Sequence, residues 1–168
     1  MGDFNGDGKP DLVMANSEVN SVSLLLGNGD GSFQMHVDYA TGNALVVPMP
    51  LSPRTGTDPA AVVVGDLNRD DKADLAITNY GDNTVSVLLG NGDGTFHAHV
   101  DYPTGNHPGS VAIGDFNGDG QPDLAVANAG DYQNPRTVRV LLGDGEGRFQ
   151  VHVSYPTDDY ISSISRGI

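Results

Sequence analysis

The chain has 168 residues, a formal net charge of −14, 23 glycines, 10 prolines and no cysteine. Such a charge repels phosphate backbones and argues against a nucleic-acid partner, and the missing cysteine excludes disulfides and thiolate metal sites. No apolar run approaches the roughly 18 residues of a membrane span, so no membrane insertion is expected; the glycine and proline content predicts short elements joined by many turns.

In chain order, the first feature is DFNGDGKPD, from Asp3. Oxygen-bearing side chains stand at its first, third, fifth and ninth positions: Asp3, Asn5, Asp7 and Asp11. A turn sequence, LLGNGDGSF from Leu25, and an outer-strand sequence, HVDYATGN from His36, follow. Together they make a first unit over about 2–43, with an apolar, proline-rich insertion at 44–58.

The second unit, 59–106, repeats the order and is the clearest to read. AAVVVGD predicts a strand running into a second Asp loop, with Asp66, Asn68, Asp70 and Asp74 at the same spacing. DLAIT, TVSVLLG and FHAHVDY predict three further strands. Each is short, β-branched or aromatic, and bounded by Gly, Asn or Asp. GNGDG between the last two is a hairpin turn, where Gly and Asn accept positive φ.

The third unit, 107–160, carries Asp115, Asn117, Asp119 and Asp123, then LLGDGEGRF and HVSYPTDD. It also holds a small insertion, GDYQNP, at 130–135. Asp131 there has no place in the repeat and reads as an ordinary surface carboxylate. Four short antiparallel strands per unit of about 50 residues fit a β-propeller blade. A β-sandwich would not explain loop chemistry recurring at one place in every unit. The fold class expected is therefore all-β, with three four-stranded antiparallel blades per chain.

Closed propellers have about four to eight blades, so three units fall short of a ring. The tail, 161–168, aligns with the first strand of the third unit: Tyr155 matches Tyr102 and Gly167 matches Gly114, although Arg166 stands where Ile113 does. The expectation is a homodimer of six blades, each tail completing the other copy's first blade. The competing expectation is an open arc cut from a longer propeller.

The three loops suit a hard divalent cation. Calcium takes six to eight oxygen ligands, and a tight loop turns alternate side chains inward. Three Ca2+ sites per chain are expected, with the main-chain carbonyls of Lys9, Lys72 and Gln121 as further ligands. An EF-hand is excluded. It needs a Glu at the twelfth position and flanking helices, and that position here is Met14, Ile77 or Val126, inside an apolar strand. In the middle loop Asp71 replaces a glycine where positive φ is expected, a conformation glycine tolerates best.

The loop, VSVLLGNGDGTF and YPTGNHPGSVAIGDFNGDG together resemble the FG-GAP/VCBS-type repeat, and are similar to the calcium-bearing blades of the integrin α-subunit propeller. The resemblance covers nearly the whole chain. It implies a propeller, calcium in the hairpin between the first two strands, and an extracellular or cell-surface setting. It does not imply one activity.

His36, His99 and His152 recur in register, as do Tyr39, Tyr102 and Tyr155. A packing residue repeats with its unit, so both sets read as outer-strand structure; the alternative is a ligand pocket between blades. His97 and His107 occur once each and read as surface residues. No Ser-His-Asp or paired-acid arrangement stands out. The leading functional expectation is a calcium-stabilised binding or adhesion module for a glycan or a protein. The alternatives are a propeller-based hydrolase and a structural spacer. Both insertions are expected on the face opposite the Asp loops.

Overall fold

The computed structural model of the chain describes residues 1–42, 58–158 and 163–164. The insertion at 44–58 thus lies outside the described residues except for Asp58, and the tail at 161–168 except for Ser163 and Ile164. The described residues form strands and turns, with no helix.

Three antiparallel sheets follow one another along the chain, each with its strands in sequence order. The first holds β1 (Leu12–Asn16), β2 (Ser21–Leu25) and β3 (Val37–Ala40). The second holds β4 (Pro59–Gly65), β5 (Asp74–Asn79), β6 (Thr84–Leu88) and β7 (Val100–Pro103). The third holds β8 (Pro108–Gly114), β9 (Asp123–Asn128), β10 (Thr137–Gly143) and β11 (Phe149–Pro156). The first sheet therefore has three strands rather than four. Where β4 and β8 stand in the other sheets, it has only Gly2, bridged to Asp11.

The outer strands also differ from the sequence reading. FHAHVDY predicts a strand from Phe96, but β7 begins at Val100, and Phe96 pairs only as an isolated bridge with Gly90. In the third sheet the outer strand does run from the equivalent Phe149, through a bulge. Along β10 and β11, Val140 faces Val153 while Leu141 faces Val151, which leaves His152 without an opposite residue. The same one-residue slip lies between the Val87–Val100 pair and the Gly90–Phe96 bridge, and between Leu24–Val37 and Gly27–Phe33. Those intervals contain His99 and His36. His152 is the extra residue in the third sheet, and His36 and His99 lie in the short intervals where the other two ladders slip by one.

The sheets stack face on face through apolar side chains that alternate along each strand. Phe4, Val22 and Leu24 of the first unit meet Leu75, Ile77 and Leu88 of the second. Leu67, Ala76, Val85 and Val87 of the second meet Val111, Leu124, Val126, Leu141 and Phe149 of the third. The second strands of the two complete sheets, β5 and β9, are buried along their whole length. Each fully buried Leu, Ile or Val contributes about 1.5–3 kcal/mol, so the stacking of sheets is the main source of cohesion. A tyrosine adds to each junction. Tyr39 Oη donates to Gly94 O at 2.7 Å, and Tyr102 Oη lies 3.5 Å from Gly147 O. Each links an outer strand to the glycine-rich turn of the next unit, with its ring edge-on to Phe96 or Phe149.

Candidate functional site

The Asp loops join the first strand position of each unit to the second, and the glycine-rich turns join the third to the fourth. In an antiparallel sheet these connections share one end. The residue that fastens them together is the ninth of each loop. Asp11, Asp74 and Asp123 are fully buried, and each carboxylate accepts two main-chain N–H groups. Asp74 takes Leu67 N at 2.8 Å and Gly90 N at 2.7 Å. Asp11 takes Phe4 N and Gly27 N, and Asp123 takes Phe116 N and Gly143 N. The glycine is required, since a Cβ on Gly90 would stand 2.2 Å from the Ala73 carbonyl oxygen.

The exposed acids of each loop fold back on the loop's own amides. Asp3 accepts Gly6 N and Asp7 N on Oδ1 and Gly8 N on Oδ2, Asn5 accepts Asp7 N, and Asp7 accepts Lys9 N. Asp115, Asn117 and Asp119 repeat the pattern in the third loop, and Asp66, Asn68 and Asp70 most of it in the second. Among the described residues no three acidic or His side chains converge as a ready metal cage. What the loops gather is a set of hard oxygens on alternate residues, with Asp7 and Asp70 each holding a lysine ammonium, from Lys9 at 3.3 Å and Lys72 at 3.2 Å. A cation already stands on these carboxylates.

The charges of one loop feel each other. Burial pushes the Asp74 carboxyl up, and the charges of Asp70 and Asp66 add to that against the pull of its two N–H donors. At Asp7 the Lys9 N–H holds the carboxyl below its ordinary value. Burial raises Asp70, but the Asn68 amide and Lys72 outweigh it. The Gly120 N–H leads the donors that lower Asp115.

The middle loop departs from its neighbours at two positions. Asp71 has φ 62° and Arg69 φ 64°, where the other loops have glycines at φ 72° to 80°. The sequence reading singles out Asp71; Arg69 meets the same restriction and was equally visible, since it stands where Gly6 and Gly118 do.

A family profile for the FG-GAP-like repeat matches residues 3–77 and 66–126, and one for the FG-GAP repeat matches residues 107–151. The chain belongs to the FG-GAP repeat family. A search of curated proteins gives no match.

At the opposite end of the FG-GAP sheets, the links that join second strands to third form a groove of about 610 Å³. Its walls include Tyr80, His107, Asp131, Tyr132 and Arg136. The insertion at 130–135 builds one side, so it does lie opposite the Asp loops, as expected. Two residues there are more constrained than the sequence suggests. His107 is half-buried at φ 56°, stacks on Tyr80 with centroids 4.5 Å apart, and has Nδ1 3.0 Å from Gly130 O. Asp131 is not an ordinary surface carboxylate. It accepts Gln133 N, Asn134 N and the side-chain amides of Asn134 and Asn106. These donors, Asn106 first, pull its pKa to about 2. Tyr132, at the tip, is fully exposed.

Among the described residues no helix is long and apolar enough to cross a membrane.

Proposed function

We propose that this chain is a calcium-stabilised, propeller-type binding or adhesion module that works outside the cell. The observation that carries the reading is the threefold loop. Three aspartates and an asparagine recur at one spacing on one end of three stacked sheets, and the last of the three aspartates is buried and ties two turns together. Their donors are all oxygen, which suits Ca2+ and not a thiophilic metal. The ligands proposed are Asp3, Asn5, Asp7, Asp11 and the Lys9 carbonyl, with Asp66, Asn68, Asp70, Asp74 and the Lys72 carbonyl, and Asp115, Asn117, Asp119, Asp123 and the Gln121 carbonyl. Bound calcium would neutralise acids that otherwise repel one another and would displace the lysine ammonium groups from Asp7 and Asp70.

The role of the ion in this reading is structural. The ligand-binding surface is placed at the opposite end, in the groove of Tyr80, His107 and Tyr132. Exposed aromatic rings beside amide and carboxylate groups are suited to a sugar ring or a peptide. The family match supports the extracellular setting in this reading.

Calcium titration followed by thermal melting tests the first part. Calcium should raise Tm, a chelator should lower it, and Asp119→Ala should lose most of the calcium-dependent gain of its loop while Asp158→Ala keeps it. A Tm indifferent to both calcium and chelator would remove the metal from the proposal. A glycan array on wild type and Tyr132→Ala tests the second part.

A further inference from the structure

The seventh residue of the Asp loop decides which donor meets the carboxylate of the fifth. It is Lys9 in the first loop, Lys72 in the second and Gln121 in the third. Over nine residues the third loop has three acids and no base, the first three acids and one base, and the second four acids and two bases. The backbone is held alike in all three. The N–H of Lys9, Lys72 or Gln121 donates to Oδ1 of Asp7, Asp70 or Asp119. The second oxygen of that aspartate is where the loops part. Asp7 Oδ2 holds the Lys9 ammonium at 3.3 Å, and Asp70 Oδ2 the Lys72 ammonium at 3.2 Å. Asp119 Oδ2 accepts instead the neutral side-chain amide of Asn117, at 2.9 Å.

The glycine-rich turn steers each ammonium onto its oxygen. A Cβ on Gly29 would stand 3.0 Å from Lys9 Cδ, and one on Gly92 would stand 3.1 Å from Lys72 Cδ. Each lysine stem therefore lies across the bare face of a glycine. Gln121 lies against Gly145 in the same way, and its Oε1 accepts Arg69 Nη1 of the neighbouring loop at 3.3 Å. The Arg69 charge thus meets an amide oxygen. Arg148, another base on this side of the third unit, pairs with Asp144 and Glu146 of its own turn. The lysine charges are felt across the turn as well. Ser32 chiefly holds the Asp30 carboxyl below its ordinary value, and the Lys9 charge adds to it. Thr95 and Lys72 do the same at Asp93.

We propose that the seventh residue grades the three loops for a divalent cation. Lys9 and Lys72 are built-in counter-ions that the cation must displace, and Gln121 leaves the third loop as the site that fills first. The inference rests on the calcium reading of the loops and adds an order to it. Calcium takes the carboxylate oxygens of the loop, and in the first two loops an ammonium holds one of them. The obstacle is modest, because 44% and 43% of the two lysine side chains are open to solvent; an exposed ion pair shifts an equilibrium by up to about fivefold. Repulsion between the displaced ammonium, tethered beside the loop, and a dication adds to this. The expected difference in calcium affinity is about three- to tenfold. Without calcium the same lysines relieve the repulsion among the acids of their loops, and Gln121 gives the third loop no such relief. The loop most in need of a cation is the one best disposed to take it.

Amide NMR of the full chain under calcium titration reads each loop separately. The reporters are Gly8, Asp71 and Gly120, whose N–H groups donate to Oδ2 of the first residue of each loop. Gly120 should respond at the lowest calcium concentration, with midpoints for Gly8 and Asp71 about three- to tenfold higher. Lys9→Gln makes the first loop identical in sequence to the third. It should bring the Gly8 midpoint down to that of Gly120 and leave Asp71 where it was. Lys72→Gln should lower the Asp71 midpoint alone, and Gln121→Lys should raise that of Gly120. Should crowding against Gly145 unfold Gln121→Lys, the two Lys→Gln variants decide. In chelator, Lys9→Gln should lower Tm, because the acids of its loop lose their counter-ion. Equal midpoints in the wild type, or a Gly8 midpoint unmoved by Lys9→Gln, would overturn the grading and leave the calcium reading standing. No response of any of the three amides to calcium would sink the calcium reading, and the grading with it.

Discussion

Replacing Asp74 by alanine separates the work of the loop's buried aspartate from any work done by a metal. Its carboxylate is fully buried and accepts Leu67 N and Gly90 N at 2.8 and 2.7 Å. Alanine leaves both N–H groups buried and unpaired, at about 1–3 kcal/mol each. Part of that is offset because alanine also removes a buried charge, whose burial already pushes its carboxyl up. The expected net loss is about 2–4 kcal/mol, a large share of the roughly 5–15 kcal/mol that stabilises an ordinary domain. Asp74→Asn keeps one acceptor and should fall between. The assay is urea unfolding followed by far-ultraviolet circular dichroism, in chelator so that no cation contributes. A loss under about 1 kcal/mol for Asp74→Ala in chelator would refute the reasoning, because two orphaned buried amides cannot cost so little.

Three further outcomes are expected. Gly90→Ala should destabilise by about 3 kcal/mol in urea unfolding, since its Cβ would sit 2.2 Å from the Ala73 carbonyl oxygen, which is backbone and cannot rotate away. Arg69→Gly with Asp71→Gly should raise stability by about 1 kcal/mol, because both residues hold positive φ where glycine carries no Cβ penalty; an unchanged or lower denaturation midpoint would contradict this. Asp131 should titrate at about 2 in the folded chain, below the ordinary value of 3.8. A depressed carboxyl stabilises above the ordinary value and loses that contribution as pH falls through the folded one, so order at 130–135 should fade between about pH 4 and 2. Carboxyl carbon NMR shifts check it.

The repeat was legible because it is chemical as well as numerical. Asp loop, glycine turn and outer-strand tyrosine recur in one order, and alternation placed the strands between them. Asp11, Asp74 and Asp123 read as ligands, and spacing alone gives no sign that one oxygen of each closes its own loop while the other fastens a second turn. That partner, Gly27, Gly90 or Gly143, is distant in sequence. The outer strand of the second unit reads as starting at Phe96 and starts at Val100, because alternation cannot show where a ladder slips by one residue. His107 and Asp131 looked idle because their partners, Tyr80 and Asn106, come from other connections.

The one-residue slips beside His36, His99 and His152 bear on what happens when many such units crowd together. β3, β7 and β11 are the last strands of their sheets, so each offers a free row of backbone donors and acceptors. A straight free row is a template on which another chain can grow a ribbon. Here the row bends after about four residues, and the His–Asp pairs at 3.7 Å in the first two sheets put polar groups beside the bend. An incoming strand in register with one half of the row is out of register with the other. A protein built by repeating one adhesive-looking sheet thus keeps its sides from fusing.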